Sequence, residues 1–216
     1  MKKQFKRILK KTFPGLAAYV TLIMNKDSFL HSSGWMESLK RGYPCRRDGS
    51  ELPWMNYSVI AFLEKQLRKD LTLFEYGSGY STFFYSRLVG NVTCVEHNRS
   101  WYESLEKKIP ANVQLIFIKQ DYGGNYCRSI TLNRQQYDVV VVDGRDRVNC
   151  IKQSIEHLSV QGVILLDDSD RDNYSQGIEH AKEAGFLALD FEGLKPTGSG
   201  SHKTTIFYRN HNCLGI

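Results

Sequence analysis

Residues 74–82 read FEYGSGYST: an acid at position 75, glycines at 77 and 79, then two hydroxyl residues at 81 and 82. Glycines two apart let the backbone turn sharply and come close to a ligand. A helix starting there would present its free N–H groups to that ligand. In dinucleotide-binding turns a third glycine follows and the helix start takes a pyrophosphate. Here Thr82 stands at the third position, and Glu75 sits at the lip. A carboxylate there repels a pyrophosphate and attracts a cation, such as a positively charged amino acid or a sulfonium. Three more acids follow in order: Glu96, Asp121 and Asp143. Glu96 suits both hydroxyls of a ribose. Asp121 suits an adenine amino group, and Tyr122 can stack on the ring.

Those acids need elements to hold them. After about residue 70, strand and helix patterns alternate regularly. Strands are expected at 71–77, 91–98, 113–119, 137–144, 162–169, 186–193 and 203–209. YDVVVVDG (137–144) is almost continuous valine, the mark of a central strand covered on both faces. Helices are expected at 81–89, 100–109, 148–158 and 174–185, the second opened by Ser100 with Glu103 completing a capping box. No helix separates the last two strands, so they should run antiparallel. The expected fold is α/β: a Rossmann-like, seven-stranded, mostly parallel sheet with a reversed last strand and helices on both faces. Residues 1–70 form a helical N-terminal extension, 71–209 the ligand-binding domain, and 210–216 a tail. In such sheets ligands bind beyond the carboxyl ends of the strands, where all four acids fall.

ExGxG after strand one, an acid ending strand two and a reversed last strand resemble the class I S-adenosylmethionine (AdoMet)-dependent methyltransferases. The likeness covers 71–209. PWMNYSVIAFLE, EYGSGYST, VEHNRSWY, VVVVDGRDRVNCI, ILLDDSDRDNY and KTTIFYR together resemble a bacterial group of uncharacterised methyltransferases. They are more distantly similar to the plant glucuronoxylan O-methyltransferases. The resemblance implies AdoMet held by Glu75, Gly77, Gly79, Glu96 and Asp121, with Ser81 and Thr82 offering hydroxyls to its carboxylate. Trp54 and Tyr57 would line the pocket from the N-terminal side.

Asp143 and Asp168 should end neighbouring strands and converge. In catechol-type O-methyltransferases the matching positions hold Mg²⁺, and the set here would be Asp143, Asp168 and Ser169, with Mg²⁺ or Mn²⁺. A metal-free general base at either aspartate and a purely structural Asp168 are the other options. Arg145 and Arg147 could pair with an anionic acceptor or with Asp146, Asp168 or Asp170. His202, in a glycine- and serine-rich loop, either reaches the acceptor or stands free. The expected reaction is O-methylation of a small-molecule or glycan hydroxyl. A nicotinamide-dependent oxidoreductase and a non-catalytic nucleoside-binding domain are the alternatives.

The chain has 216 residues and a formal charge of +6. Lys2, Lys3, Lys6, Arg7, Lys10 and Lys11 account for all of that excess, leaving the body neutral. Nucleic acid is therefore not an expected partner of the body. Phe5, Ile8, Leu9, Phe13, Leu16 and Val20 recur at helical spacing between these lysines. Three readings follow: a solvated amphipathic helix packed on the domain, a peripheral contact of residues 1–13 with an anionic membrane surface, or a cleaved signal. The apolar run from Phe13 to Met24 is short of the ~20 residues of a membrane span. Five scattered cysteines without a CxxC pair suit reduced thiols in a cytoplasmic setting. That setting includes the inner face of a membrane if the basic start attaches there.

Overall fold

The computed structural model describes residues 10–216; the basic residues 2–7 and the apolar positions 5, 8 and 9 lie outside that range. Seven strands form one sheet in the order β3-β2-β1-β4-β5-β7-β6. They are β1 Thr72–Tyr76, β2 Asn91–Glu96, β3 Val113–Phe117, β4 Tyr137–Val142, β5 Leu158–Asp167, β6 Leu187–Leu194 and β7 Ser201–Tyr208. β1 to β5 are parallel, and β7 runs antiparallel to both β5 and β6. The expected layout is thus the observed one. Val139, Val140, Val141 and Val142 of β4 are fully buried. Each such side chain contributes ~1.5–3 kcal/mol, an upper value because the unfolded chain already hides some surface. Their alternate side chains feed two cores: Val139 and Val141 join one, Val140 and Val142 the other.

The chain runs outward from β1 through β2 to β3, then returns to lay β4 on the other side of β1. The carboxyl ends of β1 and β4 therefore border a switch point, where an open crevice forms. The longer helices between strands are α1 Tyr80–Leu88, α2 Arg99–Glu106, α3 Arg147–His157 and α4 Ser175–Glu183, and a single helical turn, Asn125–Arg128, lies between β3 and β4. Asn98, and not Ser100, caps α2, accepting from the Trp101 amide at 3.1 Å. Ser100 donates to the same Asn98 oxygen, while Glu103 accepts from Arg99 at 2.7 Å, so no capping box forms there.

The N-terminal extension joins the same core. Leu52, Met55, Val59, Ile60 and Leu63 pack with Leu73 of β1 and Val139 of β4. Asn56 donates to the Phe191 carbonyl at 2.9 Å and the Thr204 hydroxyl at 3.2 Å, tying the extension to the β6–β7 hairpin. Upstream, a short helix Pro14–Tyr19 runs into a π-helical turn Val20–Met24. Of the three expected packing positions there, Phe13 and Leu16 face solvent and Val20 is half-buried; the buried residue is Ala17. Among the described residues no helix is long and apolar enough to cross a membrane. All five cysteines are free and buried.

Candidate functional site

Three strand ends are stitched around the crevice. The Gly77 amide donates to Val95 of β2 at 3.0 Å, and the Asp143 amide donates to Tyr76 of β1 at 3.1 Å. Gly77 has φ +97°, and a Cβ there would come within 3.2 Å of the Gly144 Cα, so only glycine fits without strain. The cavity that results measures about 430 Å³ and includes Glu75, Gly77, Ser81, Glu96, Trp101 and Asp143 in its wall.

Glu75 is 1% exposed. Ser81 donates to one of its oxygens, and Thr82 to the other at 2.6 Å. Burial nevertheless pushes its carboxyl up to about 8. Ser81 and Thr82 were expected to face a ligand carboxylate; both hydroxyls are instead spent on Glu75. Thr82 also accepts from the Gly79 amide at 3.0 Å and is wholly buried. Gly79 caps α1, and a Cβ there would meet Trp101 at an ordinary 3.7 Å.

Glu96 is 3% exposed and accepts from the His97 and Asn98 amides at 2.8 and 2.7 Å and from Ser78 at 2.9 Å. Three hydrogen bonds thus fix its orientation, and the neighbouring Trp101 indole donates to the Ser78 carbonyl at 2.9 Å, steadying the turn that carries Ser78. Trp101, Ser78 and His97 had no signal of their own in the sequence; Ser78 arrives in the turn after β1, His97 in the turn after β2 and Trp101 in the first turn of α2. Asp121 does not reach this cavity. Its two oxygens cap a short helical turn, accepting from the Asn125 and Tyr126 amides at 2.7 and 2.8 Å, and those bonds hold its carboxyl below the usual range. Tyr122 is strongly exposed and lines an adjacent cleft with Arg145, Arg171 and Tyr174. Tyr57 does not line the AdoMet-expected cavity either. It is buried against Phe29 in an edge-on aromatic pair, and burial raises its phenol to about 12.

Asp143 stands in the wall of two cavities. The second, about 260 Å³, is also lined by Trp54, Asp168, Lys195 and His202. Asp143 and Asp168 thus converge, as their strand positions require. Burial and the nearby Asp167 raise the Asp143 carboxyl to about 7, against the pull of Arg147. Arg147 binds Asp143 at 2.9 Å and also donates to the Asp143, Gly144 and Asp167 carbonyls. It is therefore consumed in holding β4 to β5 and is not available to an acceptor. Arg145 is exposed, makes no ion pair among the described residues, and reaches only His97, at 3.5 Å.

On the acceptor side, the residue the sequence did not flag is Lys195. It is 6% exposed and lies 2.6 Å from Asp167 and 2.5 Å from Asp168. Burial opposes ionisation of Asp168, but Lys195 and Arg171 outweigh it and hold that carboxyl below the usual range. Trp54 donates to the Pro196 carbonyl at 3.0 Å and Trp35 to the Gly198 carbonyl at 2.8 Å, so two indoles anchor the loop carrying Lys195. His202 approaches Asp168 at 3.7 Å.

This arrangement does not fit a divalent ion. Lys195 already neutralises Asp168, and Arg147 neutralises Asp143. The Ser169 hydroxyl accepts from Thr205 at 2.7 Å, and Ser169 is not among the residues lining the cavity that Asp143 and Asp168 share. Among the described residues no group of three His, Cys, Asp or Glu is placed to hold a metal.

No known family model matches the chain, and no curated protein matches it. Solved structures do. A methyltransferase from Pyrococcus furiosus aligns at a TM-score of 0.53 and 16% identity, over 83% of this chain and 94% of that one. A precorrin 8W decarboxylase from Methanobacterium thermoautotrophicum aligns at 0.51 and 15%, over 70% and 87%. A methyltransferase-like protein from Silicibacter pomeroyi aligns at 0.50 and 23%, over 73% and 89%. The likeness is one of fold, and the fold is the Rossmann-like one of the class I methyltransferases.

Proposed function

We propose that the chain is an AdoMet-dependent methyltransferase acting on a hydroxyl of a small molecule or glycan. The observation that carries this reading is Asp143, shared by the two cavities. A donor in the first and an acceptor in the second would meet beside one carboxylate.

The first cavity fits AdoMet by the chemistry of its lining. Asp143 and Arg147 pair with each other, which leaves Glu75 and Glu96 facing Arg145 alone, with Glu75 gaining its charge as the pH rises toward about 8 or as a cation binds. Such a pocket favours a ligand with positive charge and neutral hydroxyls over one with phosphates. That argues against a nicotinamide dinucleotide, whose pyrophosphate would meet Glu75. When bound, AdoMet supplies an electrophilic methyl group on a sulfonium. Glu75 would face the positive end, Glu96 would accept from the ribose hydroxyls, and Trp101 would offer an apolar wall.

Asp143 is the group to take the acceptor's proton, because burial has brought its carboxyl near neutrality. Lys195 supplies a fixed positive charge beside the developing alkoxide and keeps Asp167 and Asp168 from repelling each other. Trp54 presents an indole face at the rim, a surface suited to the C–H face of a sugar ring. His202 stands at the same rim. The work of the site is then orientation and preorganised charge.

Calorimetric titration with AdoMet, S-adenosylhomocysteine and NAD tests the reading. The first two should bind and NAD should not. Glu96→Ala should weaken AdoMet by ~1.5–3 kcal/mol, the scale of hydrogen bonds to a charged group. Tight NAD binding, or an unchanged AdoMet affinity in the folded variant, would overturn the assignment.

A further inference from the structure

The described residues leave twelve large hydrophobic side chains exposed, and six of them lie within one stretch: Phe13, Leu16, Tyr19, Leu22, Met24 and Phe29. The remainder are scattered singly over the rest of the chain. Isolated exposed apolar residues are ordinary, but a concentration of this kind marks a surface that meets something. The segment has little hold on the domain. Between positions 10 and 24 only Ala17 is buried, and Val20 and Ile23 are half-buried. Ser28 and His31 secure its end, donating to the Leu22 carbonyl at 2.7 Å and bonding to the Ile23 carbonyl at 2.7 Å. The apolar side chains are thus presented outward from a backbone fixed at its C-terminal end.

Charge decides what they meet. Six Lys and Arg residues lie in the first eleven positions, and the rest of the chain is balanced. Lys10 and Lys11 are exposed immediately before Phe13. A second copy docked on this face would bring two such basic clusters together, which like-charge repulsion opposes. A nucleic acid would match the charge but has no use for a run of aliphatic side chains. A bilayer carrying anionic headgroups satisfies both: it attracts the lysines, and it accepts Phe13, Leu16 and Leu22 at the boundary between headgroups and acyl chains.

We infer that residues 10–29 form a surface that seats the protein on an anionic bilayer, lying in the interface without crossing it. The inference does not depend on the enzymatic reading; it holds or fails whatever the crevice binds.

Vesicle flotation with the full chain tests it. Vesicles of phosphatidylcholine with phosphatidylglycerol should carry the protein upward at an ionic strength of about 0.05 M, and vesicles of phosphatidylcholine alone should not. Raising the salt to about 0.5 M should release most of it, because the screening length then falls to a few Å. The variant Phe13→Ser/Leu16→Ser/Leu22→Ser changes only exposed side chains. It should keep its melting temperature and lower the floated fraction about tenfold, as should Lys10→Glu/Lys11→Glu. Flotation equal on both vesicle types, no flotation at low salt, or variants that float as well as the parent would overturn the inference. So would a concentration-dependent dimer in sedimentation that the apolar variant abolishes, which would assign the face to a second copy.

Discussion

Glu75 carries a proton at neutral pH that the unfolded chain would have lost. Burial outweighs the bonds from Ser81 and Thr82, and the carboxyl titrates near 8 and not in its ordinary range. Between those limits the folded state binds more protons than the unfolded one, so stability should fall as pH rises through that window and level off above about 8. Urea unfolding across pH should show this slope in the parent and a shallower one in Glu75→Gln. A cationic ligand prefers the ionised form, so AdoMet affinity should climb with pH until about 8 in the parent and stay flat in the variant. Equal slopes in both proteins would remove Glu75 from the ligand's surroundings. Lys195 acts on Asp143 in the same currency. Its charge lowers the Asp143 carboxyl, so Lys195→Met should move the pH–rate rise to higher pH. The same change strands Asp167 and Asp168 and should destabilise the fold by ~3–5 kcal/mol. Lys195→Arg, which keeps the charge, should restore most of the stability and the profile. Turnover in the parent should be indifferent to EDTA; loss of activity restored by Mg²⁺ would contradict the role given to Lys195.

The β6–β7 loop shows how an element can be held from a distance. Trp35 is not among the residues lining the second cavity, yet its indole fixes the Gly198 carbonyl in the loop between Lys195 and His202. Trp35→Phe deletes one hydrogen bond, worth ~0.5–1.5 kcal/mol, and leaves the AdoMet side untouched. The expected result is a lower kcat/KM for the acceptor with an unchanged AdoMet affinity by calorimetry; a matching loss of AdoMet binding would show that the loop does not serve the acceptor side alone. The strands of this sheet were legible because a strand covered on both faces, such as β4, must be apolar along its whole length. The ends of helices were less so. Asn98 and Ser100 are both good cap residues, and Glu103 stands at the right distance from Ser100. The tie is broken by Glu96, which draws in the amides of His97 and Asn98 and starts the helix early. The acid series was partly legible for a similar reason. Glu75, Glu96 and Asp143 reach the crevice, while Asp121, equally well placed at a strand end, caps its own turn. Lys195 had no pattern to announce it, because a loop lysine looks the same in sequence whether it meets water or two aspartates.

At the scale of the whole molecule, the part that precedes the first strand and the part that follows the last are built into one core with the sheet. Leu52, Met55 and Leu63 share it with Cys213 and Leu214. Arg68 donates to the Cys213 carbonyl at 2.9 Å, and the Cys213 amide donates to Gln161 at 2.8 Å. The thiols sample this whole extent: Cys45 before α1, Cys94 in β2, Cys127 after β3, Cys150 in α3 and Cys213 near the end. Burial raises every one of them above its ordinary value, and a protonated, enclosed thiol does not react. The native protein should therefore be almost silent to iodoacetamide, and each alkylated cysteine becomes a time stamp for the opening of its own neighbourhood. Peptide mass spectra taken along a labelling course should place Cys94 last, since it is wholly buried in a strand that is hydrogen-bonded to a neighbour on each side. Simultaneous labelling at all five sites would instead report a molecule that opens all at once, with its two ends no looser than its centre.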